Sequence, residues 1–248
     1  MNATDNLIRY VDGVKGLIFD YGGTLDTGGE HWSHVIRRAW QQAGVETDLA
    51  TFREAYVYAE RELARTLHIL PHHDFHDLLR IKVNIELQWL ADQGEFPPED
   101  VGPKAEEIAA ICNAEAKRHV EAAAPVLDAL SPRFPLVLVS NFYGNIDTVL
   151  QAFGVRKYFH KVVESAVVGV RKPDPKIFSL GVEALGLQDA SPHAALVVGD
   201  SYTKDVVPAL EAGCRALWLK GPGWSDAEDA QPYPYVIQNL EILTKILR

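Results

Sequence analysis

Short apolar runs and stretches of helical periodicity alternate over much of the chain. A run of four to eight apolar residues that ends at a glycine or a polar residue is typical of a buried strand. Such runs predict strands near 15–20, 135–140, 160–164, 194–199 and 215–219. Helical spacing predicts helices near 145–153, 175–185, 204–212 and 239–247. Because alternating strands and helices form parallel sheets covered on both faces, the sequence predicts an α/β fold with a Rossmann-like sheet.

Almost a hundred residues from Glu30 onward are helical in pattern and interrupt this core. A first helix is predicted near 31–43 and a second over 51–67, opened by Thr51-x-x-Glu54 as a capping box. The predicted apolar stripes are Phe52, Tyr56, Ala59, Leu63 and Leu67, then Leu78, Ile81, Ile85 and Trp89, then Ala105, Ile108, Cys112 and Ala116. The alternating pattern resumes near Pro125. We therefore predict a core of residues 1–28 and 121–248 and an all-helical insertion of residues 29–120.

Composition and charge narrow the possible partners. The net charge of −10 disfavours nucleic acids and anionic membranes, and only two cysteines, Cys112 and Cys214, argue for a reducing compartment. No apolar run approaches the roughly 20 residues that span a bilayer, and the first ten residues lack an apolar signal core. We expect a cytoplasmic protein with neither a nucleic-acid nor a membrane partner, either monomer or homodimer.

The first predicted strand ends in unusual chemistry. Residues 17–24 run from an apolar segment into Asp20, then into two glycines and Thr24. Parallel sheets bind ligands at the carboxyl ends of their strands, and glycines let backbone N–H groups approach an anion closely. Asp20 is therefore a candidate nucleophile or metal ligand, although an aspartate that begins a turn would explain the same residues.

Three later segments change that balance. Residues 137–141 are a second strand that ends in Ser140 and Asn141. Lys172 precedes a Pro-x-Pro turn. Residues 196–201 are a third strand that ends at Asp200, with Asp205 five residues on. Together and in this order, these segments resemble the four motifs of the haloacid dehalogenase-like hydrolase superfamily, and the helical insertion resembles its helical-cap subfamily I.

The resemblance implies a phosphatase of a small phosphorylated metabolite, with an aspartyl-phosphate intermediate and Mg²⁺ as cofactor. It gives Asp20 the role of nucleophile and Lys172 that of phosphate clamp. The phosphate ligands that it implies are Thr24, Ser140, Asn141 and Lys172. The metal ligands that it implies are Asp20, the backbone carbonyl of Gly22, Asp200 and Asp205, with Asp205 behind the others.

The chain departs from the family at Gly22, where the phosphatases carry an aspartate as general acid and base. General acid–base help contributes about 10²–10⁴-fold to rate. The sequence leaves several readings open: a phosphatase with atypical or weak acid catalysis, aided by water or a cap group such as His31, or a silent phospholigand-binding protein. Less favoured are a phosphonatase-like enzyme, which needs a cap lysine such as Lys82, and a dehalogenase, which would lack the Asp200–Asp205 pair.

Two further groups of side chains invite a functional interpretation. The histidines at 68, 72, 73 and 76 could bind zinc, but we expect them to be polar residues of a loop between cap helices. Aromatic residues near the motifs line a substrate pocket or pack in the core: His31, Trp32, Phe142, Tyr143 and Tyr202.

Overall fold

A six-stranded parallel sheet forms the centre of the structure, a computed structural model that describes residues 3–187 and 191–247. Its strands are β1 (Gly16–Phe19), β2 (Leu136–Ser140), β3 (Lys161–Glu164), β4 (Ala195–Gly199), β5 (Arg215–Leu219) and β6 (Val236–Ile237). They lie in the order β3-β2-β1-β4-β5-β6, and every neighbouring pair is parallel. The predicted α/β fold with a Rossmann-like sheet is confirmed.

Helices connect the strands and build the insertion. They are α1 (Ala3–Tyr10), α2 (Trp32–Gln42), α3 (Leu49–Arg65), α4 (Phe75–Asp92), α5 (Val101–Leu130), α6 (Ile146–Ala152), α7 (Ser165–Val168), α8 (Lys176–Ala184), α9 (Val207–Glu211), α10 (Asp226–Asp229) and α11 (Ile242–Ile246). A π-helical turn at Tyr202–Val206 leads into α9, and 3₁₀ turns lie at Pro98–Asp100, Arg156–Tyr158 and Pro192–Ala194. None of the helices in the described part of the chain combines the length and hydropathy needed to span a bilayer.

The two faces of the sheet are buried in two separate apolar clusters. Successive side chains of a strand point to opposite faces. Leu17 and Phe19 of β1 therefore join one cluster with residues of α5, α6 and α11, whereas Ile18 joins the other with residues of α8 and α9. Burial on both faces explains why the strands read as continuous apolar runs.

The insertion consists of α2 to α5. Helix α3 packs on α4, α4 packs on α5, and α2 packs on both α3 and α5. Helix α5 also contacts α11 of the core, and it passes through residues 120 and 121 without a break. Pro125 lies inside this helix, so the strand–helix alternation begins only after Leu130. The division into a core and a cap at those residues stays a prediction.

Local signals in the insertion were partly misleading. Helix α3 begins at Leu49, and its N-cap is Asp48, whose carboxylate accepts hydrogen bonds from the backbone of Ala50 and Thr51. The capping box predicted at Thr51 is therefore wrong. Leu67 lies beyond the end of α3 and is 78% exposed. Aspartate can cap a helix as well as serine or threonine, and Asp48, three residues before Thr51, is the cap at which α3 begins.

Candidate active site

Three predicted site residues meet at one edge of the sheet. Asp20 follows β1, Ser140 ends β2, and Asp200 follows β4. Strand β1 lies between β2 and β4, so the carboxyl ends of the three strands are adjacent. This position, where the strand order reverses, is the place at which open α/β sheets bind ligands.

Lys172 is held between two carboxylates at this edge. Its Nζ lies 2.8 Å from Asp20 Oδ1 and 2.6 Å from Asp205 Oδ1, and the residue is only 4% exposed. The side chain of Asn141 holds the backbone of Lys172 in place. Its Nδ2 donates to the Lys172 carbonyl at 3.1 Å, and its Oδ1 accepts from the Lys172 N–H at 2.8 Å. The lysine is therefore preorganised before any ligand binds.

The electrostatics of this cluster follow from burial and from excess negative charge. Burial alone would lower the pKa of Lys172, but the charges of Asp20 and Asp205 outweigh it and raise that pKa. Burial raises the pKa of Asp200 well above its ordinary value, and the neighbouring Asp205 and Asp20 add to the shift. Three carboxyl groups lie near a single lysine, so the site has a deficit of positive charge.

Two neighbouring residues position Asp200. The hydroxyl of Thr24, fully buried, donates to Asp200 Oδ1 at 3.0 Å, so in this structure Thr24 orients a carboxylate and does not line the cavity. Gly23 has φ +93°, and a Cβ there would lie 2.3 Å from Asp200 Oδ2. The loop after β1 can approach Asp200 this closely only because residue 23 has no side chain.

The acidic residues fit a magnesium ion. Asp20, Asp200 and Asp205 each offer a carboxylate oxygen, and these oxygens lie within 4.8 Å of one another. Oxygen ligands suit Mg²⁺, and a divalent cation would offset the charge deficit. Asp205 already binds Lys172 through Oδ1 and the Ser201 N–H through Oδ2 at 3.0 Å, an arrangement that suits a residue behind the direct ligands.

Gly22 leaves open space at the position where the resemblance to haloacid dehalogenase-like phosphatases implies a second aspartate. Its backbone lies outside the left-handed region, and a Cβ there would be 4.0 Å from the nearest neighbouring atom, Cδ1 of Trp32. The glycine is therefore not required by backbone geometry or by crowding.

A cavity of about 610 Å³ extends from this cluster to the helical insertion. Its floor includes Asp20, Ser140, Lys172 and Asp200. Of the five aromatic residues considered from the sequence, four line it, namely His31, Trp32, Phe142 and Tyr143. Tyr202 instead packs against Trp218 and Tyr233 in the core.

Sequence reasoning did not single out Asp26, which also lines the cavity. Its Oδ1 accepts from the Gly23 N–H at 2.7 Å, and its Oδ2 accepts from Trp32 Nε1 at 2.9 Å. Burial raises the pKa of Asp26 to about 8. Asp26 thus fixes the loop after β1 to the first helix of the insertion. The sequence signal for Asp26 was an acidic residue two positions after the Gly-Gly-Thr turn.

Two charged residues of the insertion also line the cavity, Glu60 and Lys82. The sequence analysis assigned no role to Glu60. Glu60 follows Tyr56 by four residues on the apolar face of α3, which was the signal for an inward-facing charge. Lys82 was considered only as a Schiff-base lysine. The structure brings these two side chains together as an ion pair.

Other candidate residues lie away from the cluster or are unsuited to acid catalysis. His68 pairs with Glu62 and His76 with Glu106, and in the described part of the chain the aspartate cluster is the one group of three or more metal-ligating side chains brought together. Burial, aided by nearby lysines, lowers the pKa of His31 to about 3, so this imidazole is neutral at pH 7.

The comparisons with known proteins agree on one family. A model described as haloacid dehalogenase-like hydrolase matches residues 14–213. The haloacid dehalogenase-like hydrolase domain-containing protein 3 of Bos taurus is 33% identical over 114 residues, which are 45% of this chain and 44% of that protein. The match thus spans less than half the length of this curated relative.

Other similarities cover more of the chain. Glyceraldehyde 3-phosphate phosphatase of Methanopyrus kandleri is 26% identical over 226 residues, which are 87% of this chain and 88% of that protein. The crystal structure of a magnesium-bound HAD hydrolase of Bacillus subtilis superposes with a TM-score of 0.55 at 20% identity, over 94% of this chain and 98% of that one. At this identity the structural likeness supports the fold alone.

Proposed function

We propose, from the premise that the chain belongs to the haloacid dehalogenase-like hydrolase family, that it is a Mg²⁺-dependent phosphatase of a small phosphorylated metabolite. The observation that carries the proposal is Lys172, buried between Asp20 and Asp205 at the floor of the cavity. A carboxylate nucleophile beside a fixed ammonium group suits attack on a phosphate and the binding of its charge. The phosphatase name of the Methanopyrus relative supports the same reaction class.

The proposed reaction has two steps. A carboxylate oxygen of Asp20 attacks phosphorus, the bond from phosphorus to the ester oxygen breaks, and its electron pair leaves with the alcohol oxygen. Water then attacks the aspartyl-phosphate, which releases inorganic phosphate and restores the Asp20 carboxylate. Both steps place negative charge on phosphoryl oxygens, and the Lys172 ammonium group is positioned to stabilise it.

Neighbouring residues have supporting roles in this proposal. Asn141 holds the backbone of Lys172, and Asp205 holds its ammonium group, so the lysine needs little rearrangement on binding. Ser140, which is buried at the end of β2, is the proposed hydroxyl ligand of the phosphate. Thr24 orients Asp200 and contributes indirectly.

The proposed metal ligands are Asp20, the backbone carbonyl of Gly22 and Asp200, with Asp205 supporting them. Bound Mg²⁺ would neutralise charge on the phosphate and on the carboxylates. The loss of a side chain at Gly22 leaves the backbone carbonyl available, so the absent aspartate does not by itself remove the metal site.

Protonation of the leaving oxygen is the weak part of the proposed chemistry. Gly22 provides no acid, and His31 is neutral and accepts a hydrogen bond from the Ser33 N–H through Nδ1. Asp26 lines the cavity, but both of its carboxyl oxygens already accept hydrogen bonds, from the Gly23 N–H and from Trp32 Nε1, so we propose water as the proton source. We therefore expect slow turnover of alkyl phosphates and faster turnover of esters with acidic leaving groups.

Gly22 also favours a second candidate, a protein that binds a phosphorylated ligand without turnover. The two candidates make different predictions for p-nitrophenyl phosphate, whose leaving group needs little protonation. The test is steady-state hydrolysis of this ester with Mg²⁺, with EDTA, and with Mg²⁺ restored after EDTA.

A phosphatase gives Mg²⁺-dependent release of phosphate that EDTA abolishes and restored Mg²⁺ recovers. Binding of inorganic phosphate or vanadate without any hydrolysis would favour the binding protein. Hydrolysis that EDTA leaves undiminished would overturn the metal-assisted mechanism. A panel of phosphorylated metabolites, assayed with Mg²⁺, then identifies the natural leaving group.

The setting that we propose for this activity is the cytoplasm. Cys112 and Cys214 are both buried free thiols, which fits a reducing compartment. A small phosphorylated molecule is the proposed partner, for a monomer or a homodimer.

A further inference from the structure

The helical insertion contributes a partly buried ion pair to the cavity, which we call the roof pair. It consists of Glu60 on α3 and Lys82 on α4, whose Nζ contacts Glu60 Oε1. Both residues line the same cavity as Asp20 and Lys172. The hydroxyl of Tyr143, three residues after Ser140, lies 3.3 Å from Glu60 Oε2. The roof pair is thus linked to the loop that follows Ser140, the proposed phosphate ligand.

The two members of the roof pair differ in what they can offer a ligand. Lys82 is 5% exposed, and its Nζ lies 4.1 Å from the centre of the Tyr56 ring besides contacting Glu60. Its charge is therefore used within the protein. The Glu60 side chain is 37% exposed. Glu60 is the member of the pair whose carboxylate is accessible to a ligand.

We propose that Glu60 selects phosphate esters whose leaving group carries hydroxyl groups, such as a polyol or a sugar, by accepting a hydrogen bond from a hydroxyl. This inference rests on the proposed function, because it concerns the part of the substrate that remains once the phosphate is bound by Lys172. It places a specificity-determining residue in the insertion, on the wall contributed by α3.

The charges around the cavity argue for a neutral hydroxyl over other groups. A carboxylate on the leaving group carries no hydrogen that it could donate to Glu60. An ammonium group would find Glu60 already neutralised by Lys82 and would meet Lys204 and Arg65, which also line the cavity. A purely aliphatic group would cover the Glu60 carboxylate without replacing its water, which costs free energy.

The aromatic walls support the same class of ligand. Trp32, Phe142 and Tyr143 line the cavity and are each partly exposed. Flat aromatic faces pack well against the C–H groups of a polyol chain or a sugar ring, while the hydroxyls need a polar partner. Glu60 offers acceptor oxygens, and the Tyr143 hydroxyl, which donates its one hydrogen to Glu60, adds a neighbouring acceptor.

The test compares esters that differ only in hydroxyl groups. Glycerol 3-phosphate and n-propyl phosphate have the same carbon chain, so their ratio of kcat/KM isolates the hydroxyls. We expect wild type to prefer glycerol 3-phosphate by about 10- to 100-fold, the range for a hydrogen bond to a charged group. Phosphoglycolate and phosphoethanolamine serve as the carboxylate and ammonium probes, and both should be poorer than glycerol 3-phosphate.

Glu60→Gln should reduce the preference to within about threefold, because a neutral amide is a weaker acceptor and leaves a hydrogen bond of ordinary strength. That variant leaves the buried Lys82 ammonium group without its paired carboxylate, which destabilises the fold. The double variant Glu60→Gln with Lys82→Met removes both charges and should lose the preference while remaining folded. Glu54→Gln, at an exposed position of the same helix, is the matched control and should keep the wild-type ratio.

The outcomes separate this inference from the proposed function. Hydrolysis of p-nitrophenyl phosphate without any preference between the two esters overturns the role of Glu60 and leaves the phosphatase intact. Absence of all hydrolysis overturns the phosphatase, and calorimetric binding of the same two esters then decides the role of Glu60. A preference that persists in the folded double variant also overturns it.

Discussion

Two charged clusters face the same cavity and differ in how their charges are satisfied. At the sheet edge, Lys172 bonds to Asp20 and Asp205, and the Ser201 N–H bonds to the second oxygen of Asp205. In the insertion, Lys82 is paired with Glu60, but neither oxygen of the buried Glu86, one turn further along α4, has a hydrogen-bond partner.

The difference reflects the supports of the two clusters. Strand ends and the loops after them bring backbone N–H groups and short side chains to fixed positions, so charges there are easily paired. Helix faces offer only side chains, because their backbone groups are already bonded within the helix. We infer that the sheet edge fixes its charges through backbone groups, whereas charge pairing in the insertion depends on which side chains its helices bring together.

The largest expected effect on hydrolysis comes from a substitution in the sheet-edge cluster. Asp20→Asn removes the proposed nucleophile at nearly constant volume, so hydrolysis of p-nitrophenyl phosphate should fall at least about 10⁴-fold. The thermal unfolding midpoint, measured in parallel, should stay near the wild-type value. Residual turnover within about tenfold of wild type would show that Asp20 is not the nucleophile.

Loss of Lys172 should have the next largest effect. Lys172→Ala leaves Asp20 and Asp205 buried without their shared counter-charge, so phosphate affinity should fall about 100-fold and the free energy of unfolding should fall by roughly 3–5 kcal/mol without Mg²⁺. Calorimetry at fixed salt and chemical denaturation measure the two quantities. Lys176→Ala, at an exposed position four residues on, is the control and should change neither. Wild-type phosphate affinity in Lys172→Ala would contradict the proposed clamp.

Introducing an acid at residue 22 should raise activity, whereas the two variants above should lower it. A Cβ at residue 22 meets no close neighbour, so Gly22→Asp should fold and raise kcat on alkyl phosphates by up to about 10²-fold. Gly22→Ala adds the same Cβ without the acid and should gain nothing. Mg²⁺ affinity should change little in either variant. If Gly22→Asp folds, binds Mg²⁺ and gains nothing, the acid is supplied elsewhere.

The smallest expected effect on activity, with a clear effect on stability, comes from Glu86. Burial raises the pKa of Glu86 to about 8 in the folded protein, against about 4.3 in an unfolded chain. Between these values the folded state keeps a proton that the unfolded state has lost, so the free energy of unfolding falls as pH rises from about 5 to 8.

Glu86→Met removes this contribution. We expect the variant to be more stable than wild type by roughly 2–4 kcal/mol at pH 8 and by much less at pH 5. Denaturation curves at both pH values measure the difference. Glu95→Met, at an exposed position beyond the end of α4, should show no such pH dependence. Equal stabilisation at both pH values would mean that Glu86 is already ionised in the fold.

The apolar pattern of α4 shows where sequence reasoning fell short. Apolar spacing suggested Leu78, Ile81, Ile85 and Trp89 as its buried stripe. The structure buries Leu78 but leaves the other three only partly buried, and it buries Lys82 and Glu86. From sequence alone, a charged residue is expected to be exposed unless a partner for its charge is known. Glu60, the partner of Lys82, lies on another helix and 22 residues away.

Short elements were the other source of error. Strand β6 has only the two residues Val236 and Ile237, too few to show a period, and α1 has eight residues in a polar segment. Their positions depend on neighbours, since Val236 and Ile237 pair with β5 and Tyr10 stacks on Tyr235. Local pattern could not predict them, because tertiary contacts stabilise both elements.

The sequence by itself determined the parallel sheet and the order of its motifs. Buried strands need apolar residues throughout, and the polar residues that interrupt them at Asp20, Ser140 and Asp200 must lie at their carboxyl ends. Only the tertiary structure brought Lys172 between Asp20 and Asp205 and paired Glu60 with Lys82. These contacts join residues far apart in the chain, and their geometry depends on how helices and loops pack, which no local pattern encodes.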